Sequence, residues 1–119
     1  MNVIKFKDAE QQDAGSLLGT FTMGIRTKCL IHNGDIFNSG HFVSLKHIAI
    51  EPRQDYPLHP SESSEISFIL SGTAVFQSGG KELELKASDV VYINKGEYYS
   101  IKNSGNTSLE MICFCASKK

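Results

Sequence analysis

The stretch "EISFILSGTAVFQSGGKELELKA", residues 65 to 87, decides the fold. Apolar residues alternate with others through 65–68, Ile69 and Leu70 extend the apolar run, and a Ser-Gly pair breaks it at 71–72. A second run follows to Gln77, Gly-Gly sits at 79–80, and "KELELK" alternates again. Period-two patterning is the signature of β-strands, and Gly-rich pairs between such runs are hairpin punctuation. The residues after it repeat the scheme. "DVVYINKGEYYSIKNSGNTSLEMICFCA" (89–116) reads as three strands separated by turns at "NKGE" and "NSGN". Upstream, "FVSLKHIAIE" (42–51) places Val43, Leu45, His47 and Ala49 on one face and Phe42, Ile48 and Ile50 on the other, a strand covered on both sides. No stretch keeps apolar residues at helical spacing through two turns. Residues 1–20 are the least periodic part, and "AEQQDAGS" (9–16) reads as a loop or a single helical turn. Short strands at this spacing predict an all-β barrel or sandwich of antiparallel sheets.

Length and charge narrow the function. A chain of 119 residues fits one globular domain, expected over 1–119 with N-terminal strands and loops at 1–41 and the barrel at 42–116. Twelve basic and thirteen acidic residues, scattered along the chain, give a net charge of -1 and no basic footprint for nucleic acid or anionic lipid. No apolar run has the ~20 residues a membrane-spanning helix needs, and the opening "MNVIKFKDAEQQDAG" is too polar for a secretory signal, so the expected location is cytoplasmic. Three cysteines, an odd number, read as free thiols in a reducing compartment.

A small barrel encloses either packed side chains or a ligand, so the inward-facing residues set the function. In "PLHPSESSEISFILSG" (57–72), His59 and Ser61 share a face on an extended chain and Glu62 takes the opposite one; Glu65, Ser67 and Ile69 share a face, with Ile66, Phe68 and Leu70 behind as core. This predicts a wet pocket floored by core.

Two motifs in these segments carry a resemblance. The spacing of His59, Ser61, Glu65 and Gly72 resembles the first motif of the cupin family, in which a second histidine stands where this chain has Ser61. In "SDVVYINKGEYYSIKN" (88–103), Asp89, Gly96 and Asn103 match the second motif, with Tyr99 in its histidine position, Ser88 for the usual glycine and Asn94 for the usual proline. The resemblance covers about 42–116. It implies a cupin, a double-stranded β-helix or jelly-roll-like barrel of two antiparallel sheets, and a homodimer.

The resemblance also implies a metal site built from His59, Ser61, Glu65 and Tyr99. A neutral serine is a poor ligand, and a phenol must lose its proton to bind, so the cofactor expectation is either none or a single divalent or trivalent ion on His59, Glu65 and Tyr99. His47, Glu97 or a cysteine is a further possible donor. The catalytic candidates are His59, Glu65 and Tyr99, with Ser61, Ser67 and His47 as pocket residues. A buried Glu65 needs a partner: a metal, His59, Tyr99, a protonated state, or an ion pair with Arg53 or Arg26. His47 faces either the cavity or the sheet partner and is better read as a satisfied core histidine, and His32 and His41, beside turns, as surface residues. Cys113 and Cys115 share a face with Met111 and read as small hydrophobes, since a lone C-x-C pair is a poor metal signal. Phe42, Phe68, Phe76 and Phe114 read as core aromatics.

The function implied is small-molecule binding with acid–base chemistry on a small metabolite: isomerase, epimerase, cyclase or lyase. The alternatives are a non-catalytic metabolite sensor and a metal-dependent dioxygenase or decarboxylase with an atypical ligand set.

Overall fold

The structure is a computed structural model that describes residues 1–13 and 24–119. After a 3-10 turn at Phe6–Asp8 the described residues form ten strands: β1 (Gln11–Asp13), β2 (Ile25–Gly34), β3 (His41–Ile50), β4 (Asp55–Pro60), β5 (Ser64–Ser71), β6 (Thr73–Ser78), β7 (Lys81–Lys86), β8 (Val90–Ile93), β9 (Tyr98–Asn103) and β10 (Leu109–Lys118). They form a six-stranded sheet, β1-β2-β3-β10-β5-β8, and a four-stranded sheet, β4-β9-β6-β7. From β3 to β6 the chain changes sheet at every strand, and after the β6–β7 hairpin it alternates again to β10, which is the jelly-roll topology the cupin resemblance implies. Among the described residues no helix is long and apolar enough to cross a membrane.

The hairpin reading of 65–87 holds in detail. Ser78 pairs with Lys81, leaving Gly79 and Gly80 as a two-residue loop with φ of 57° and 79°, the doubly left-handed geometry of a type I′ turn. At Gly72, φ is 87° and an added Cβ would lie 2.9 Å from the Ser108 carbonyl oxygen, so the β5–β6 corner admits only glycine without displacing backbone.

The second-motif residues turn out to be fasteners. Asp89 Oδ2 accepts the Lys86 N–H at 2.8 Å and the Asp89 N–H returns to the Lys86 carbonyl at 3.0 Å, closing a turn in which Ser88 is held at φ 76°. Gly96 has φ 91° in the next turn, where the Asn94 N–H, which a proline would lack, donates to Glu97 Oε2 at 3.1 Å. Asn103, almost wholly buried, donates from Nδ2 to the Ile50 and Thr107 carbonyls at 2.8 and 2.9 Å and accepts the Gly105 N–H at 2.9 Å. That one side chain ties both sheets and the β9–β10 connection together.

The core lies between the sheets: Ile25, Ile48, Ile50, Ile69, Leu109 and Met111 from one, Ala74, Phe76, Tyr99 and Ile101 from the other. Three expectations are corrected. The helical turn falls at 6–8, not within 9–16, of which 11–13 form β1 and 14–16 lie outside the described residues. Ile66, Phe68 and Leu70 do face away from Ser67 and Ile69, but onto an exposed outer surface and not into core; Phe68, read as a core aromatic, is 38% exposed. Alternation locates the second face of a strand but not what covers it.

The third correction is His47. It lies on the outer face of β3, where the 3-10 turn folds over it: the Phe6 ring meets the imidazole edge-on at 4.8 Å, and Lys28 sits 4.1 Å over the same Phe6 ring while donating to the Phe6 carbonyl at 3.2 Å. His47 Nε2 lies 3.0 Å from Glu110 Oε1, and Glu110 Oε2 accepts the Ser71 hydroxyl at 3.2 Å. It is a satisfied buried histidine, and the barrel wall separates it from the pocket.

Candidate functional site

A cavity of about 620 Å³ opens between the sheets at one end of the barrel, a size suited to a small metabolite. Tyr56, His59, Ser61, Glu62, Glu65, Tyr99, Cys115, Ser44 and Lys46 line it, with Thr27, Cys29, His32 and Asn33 of β2 at its margin. His59, Glu65 and Tyr99 are therefore brought to one cavity. Ser67, buried on the same face as Glu65, lies one step deeper and does not reach the surface of the cavity. Glu62 turns toward the opening with Ser61, because β4 ends at Pro60 and strict alternation lapses in the connection that follows. His32 and His41 are exposed, as expected.

β4 and β9 build one wall. His59 pairs with Tyr99 across the strands, their ring centroids 4.5 Å apart, and Tyr56 lies 4.8 Å from His59 on the other side. Phe76 stacks on Tyr99 from within the core at 6.5 Å. The imidazole is fixed by its Nδ1, 2.7 Å from the Pro57 carbonyl oxygen. A carbonyl can only accept, so Nδ1 carries a proton, and in the neutral tautomer Nε2 is an acceptor.

The floor belongs to β5 and β10. Their register pairs Glu65 with Cys115 and Ser67 with Cys113, so a carboxylate and two thiols converge. Glu65 Oε2 lies 3.5 Å from Cys115 Sγ and 3.8 Å from Cys113 Sγ, and the sulfurs are 3.8 Å apart. Glu65 Oε1 is buried with no hydrogen-bond partner. Neither arginine considered as its partner serves: Arg26 pairs with Glu51 at 2.6 Å, and among the described residues no ion pair reaches Glu65.

The electrostatics follow from this crowding. Burial, and then the Glu65 charge, push the Tyr56 phenol up to about 12 and hold Tyr99 firmly protonated above the usual phenol range. The thiols share a proton unequally. Hydrogen bonding between them raises Cys113, the donor, and lowers Cys115 to about 7, helped by Ser44 and the Lys46 charge against the opposing effects of burial and Glu65.

The metal set carried from the cupin pattern does not fit these residues. Ser61 donates its hydroxyl to the Ser63 carbonyl at 2.5 Å, and Tyr99 keeps its proton, which leaves His59 and Glu65 as the only donors of the four. The residues whose part in the site the sequence underweights, reading them as small hydrophobes, are Cys113 and Cys115. Their C-x-C spacing already put both on one face; what it lacked was the pairing with Glu65, fifty positions away.

The cupin domain family matches residues 46–115, more than half of the chain. The chain belongs to the cupin family. The oxalate-binding protein of Thermotoga maritima is 42% identical to it over 64 residues, 53% of this chain and 53% of that protein, so this cupin spans about half the length of the curated relative in the match. A Thermotoga maritima protein described as a predicted oxalate decarboxylase has a crystal structure that superposes with TM-score 0.76 at 25% identity, covering 99% of this chain and 100% of that one. The polyketide cyclase RemF of Streptomyces resistomycificus superposes with TM-score 0.75 at 15% identity over 98% of this cupin and 79% of that chain, a likeness of fold alone.

Proposed function

We infer that this cupin binds a small oxygen-bearing metabolite in the cavity and moves a proton on it, the chemistry of an isomerase, epimerase, cyclase or lyase. The observation that carries the reading is Glu65 Oε1, a buried oxygen without a partner in the cavity where His59 and two protonated phenols also stand. An orphaned buried acceptor costs ~1–3 kcal/mol, a cost a fold avoids unless a ligand supplies the missing donor. Tyr99 and Tyr56 donate hydrogen bonds to a substrate oxygen, His59 Nε2 accepts from a hydroxyl, and Glu65 takes or returns the proton. Lys46 gives the cavity a cation, and the relative named for oxalate supports a carboxylate group on the ligand.

The test uses thermal shift against oxalate and a panel of small hydroxy- and dicarboxylic acids, then deuterium exchange into the binders' C–H positions by NMR. Wild type should exchange; Glu65→Gln should lose exchange while keeping affinity within about tenfold. Binding without exchange would establish the non-catalytic sensor reading instead, and equal loss of both in Glu65→Gln would overturn the catalytic role of Glu65.

The homodimer belongs to the same proposal. Ile66, Phe68, Leu70, Val90 and Tyr92 leave an apolar outer face on β5 and β8 exposed, whereas the β2–β3 half of that face is covered by the N-terminal turn. A second copy of the chain, placing the same face against it about a two-fold axis, is the occupant we infer.

A further inference from the structure

The three groups on the cavity floor have the dimensions of a metal site that differs from the cupin histidine set. Glu65, Cys113 and Cys115 present one oxygen and two sulfurs at separations of 3.5, 3.8 and 3.8 Å. A tetrahedral zinc ion, with bonds of about 2.3 Å to sulfur and about 2.0 Å to oxygen, needs S···S of about 3.8 Å and S···O of about 3.5 Å. The observed triangle matches those edges within about 0.3 Å without any change of rotamer. We propose that Glu65 Oε2, Cys113 Sγ and Cys115 Sγ bind a thiophilic divalent cation of the zinc class, leaving a fourth position open to the cavity.

Three further features fit. Two thiolates and a carboxylate carry three negative charges, so a divalent ion leaves a net charge of about -1, and Lys46 stands near Cys115 to offset it. Ser67 pairs with Cys113 and Ser44 with Cys115 across the strands, which places hydroxyls beside both sulfurs, where outer hydrogen bonds orient a metal ligand. Cys115 lines the cavity, so the ion has a way in, while Cys113 is buried behind it. Thiolates select zinc over magnesium, calcium or manganese, which prefer oxygen. Because Oε2 is the atom among the sulfurs, Oε1 stays free, and the site stands whether or not Glu65 also moves protons.

The test titrates the reduced, chelator-treated chain with Co(II), then Zn(II). One equivalent of cobalt should bind with thiolate-to-cobalt charge-transfer absorption, and zinc should displace it. Cys113→Ser and Cys115→Ser should each abolish the band, Glu65→Gln should weaken binding by about tenfold or more, and Cys29→Ser and His59→Ala should leave it within about threefold. A band that survives the double serine variant, a band lost in Cys29→Ser, or no saturable binding to wild type would overturn the proposal. If Cys113→Ser fails to fold, the half-buried Cys115→Ala carries the test: loss of the band with near-ultraviolet circular dichroism intact supports the site, and retention overturns it. The site shares Glu65 with the proton-transfer reading, but the cobalt band in the cysteine variants is read without any exchange measurement, so either result can fail alone.

Discussion

Replacing Glu65 with leucine should make the metal-free protein more stable. The side chain is half-buried at the cavity floor and its Oε1 has no hydrogen-bond partner, so its loss recovers ~1–3 kcal/mol of desolvation cost. Against that stands the loss of two sulfur contacts at 3.5 and 3.8 Å, worth a few tenths of a kcal/mol because a thiol is a weak donor and these two already bond each other. Tyr99 and Tyr56 are protonated in both folded and unfolded chains at pH 7, so relief of the Glu65 charge adds nothing through them. Leucine is similar in volume and needs no partner. The net is a gain of about 1–2 kcal/mol, or roughly 5 °C in Tm for a domain of this size. Urea denaturation of reduced, chelator-treated wild type and Glu65→Leu measures it, as a rise in midpoint at unchanged slope. A variant less stable than wild type by more than about 1 kcal/mol would show that the carboxylate is a structural anchor, and the functional reading of its orphaned oxygen would fall.

Three other outcomes follow from the same geometry. Ser88→Gly should stabilise by about 0.5–1 kcal/mol, because φ 76° costs a side-chain-bearing residue what glycine does not pay; a neutral or negative change in thermal midpoint would refute it. Alkylation of Cys115 in the metal-free protein, followed by peptide mass mapping, should accelerate as pH rises through about 7, and Glu65→Gln should move that midpoint down because the carboxylate opposes the thiolate. A midpoint above 9 would remove the shared-proton description of the thiol pair. Phe68→Glu with Tyr92→Glu should convert a dimer to a folded monomer by light scattering; a wild-type monomer at micromolar concentration would end the dimer proposal.

The fold was legible because its signals are local. Gly79–Gly80, Gly72 and the Asp89 turn announce themselves through residues two to four positions apart, and alternation names both faces of β3 and β5. What stayed hidden was set by partners distant in sequence. His47 is buried on an outer face only because Phe6 folds over it, forty-one positions away, while Phe68 on the same sheet has no such cover. Glu65, His59 and Tyr99 were placed together by motif spacing. The donors beside Glu65 on β10 depend on a strand pairing that no local pattern encodes.

That contrast bears on why the usual ligand positions hold Ser61 and Tyr99 here. Both have been turned to other bonds: the serine closes its own loop onto Ser63, and the phenol stacks between His59 and Phe76 with its proton retained. The acid that remains, Glu65, belongs to a strand that pairs with β10 on one edge and β8 on the other, so its nearest new donors can come only from those neighbours. β8 offers Ile93 opposite Glu65, which binds nothing, and β10 offers Cys115, with Cys113 one inward position deeper. A cation drawn to this carboxylate would therefore sit against β10, away from the imidazole, leaving His59 and the two phenols free to address a ligand from the opposite wall. The two chemistries proposed for the cavity share Glu65, whose Oε2 faces the thiols of β10, while the imidazole and the two phenols come from the separate β4 and β9 wall.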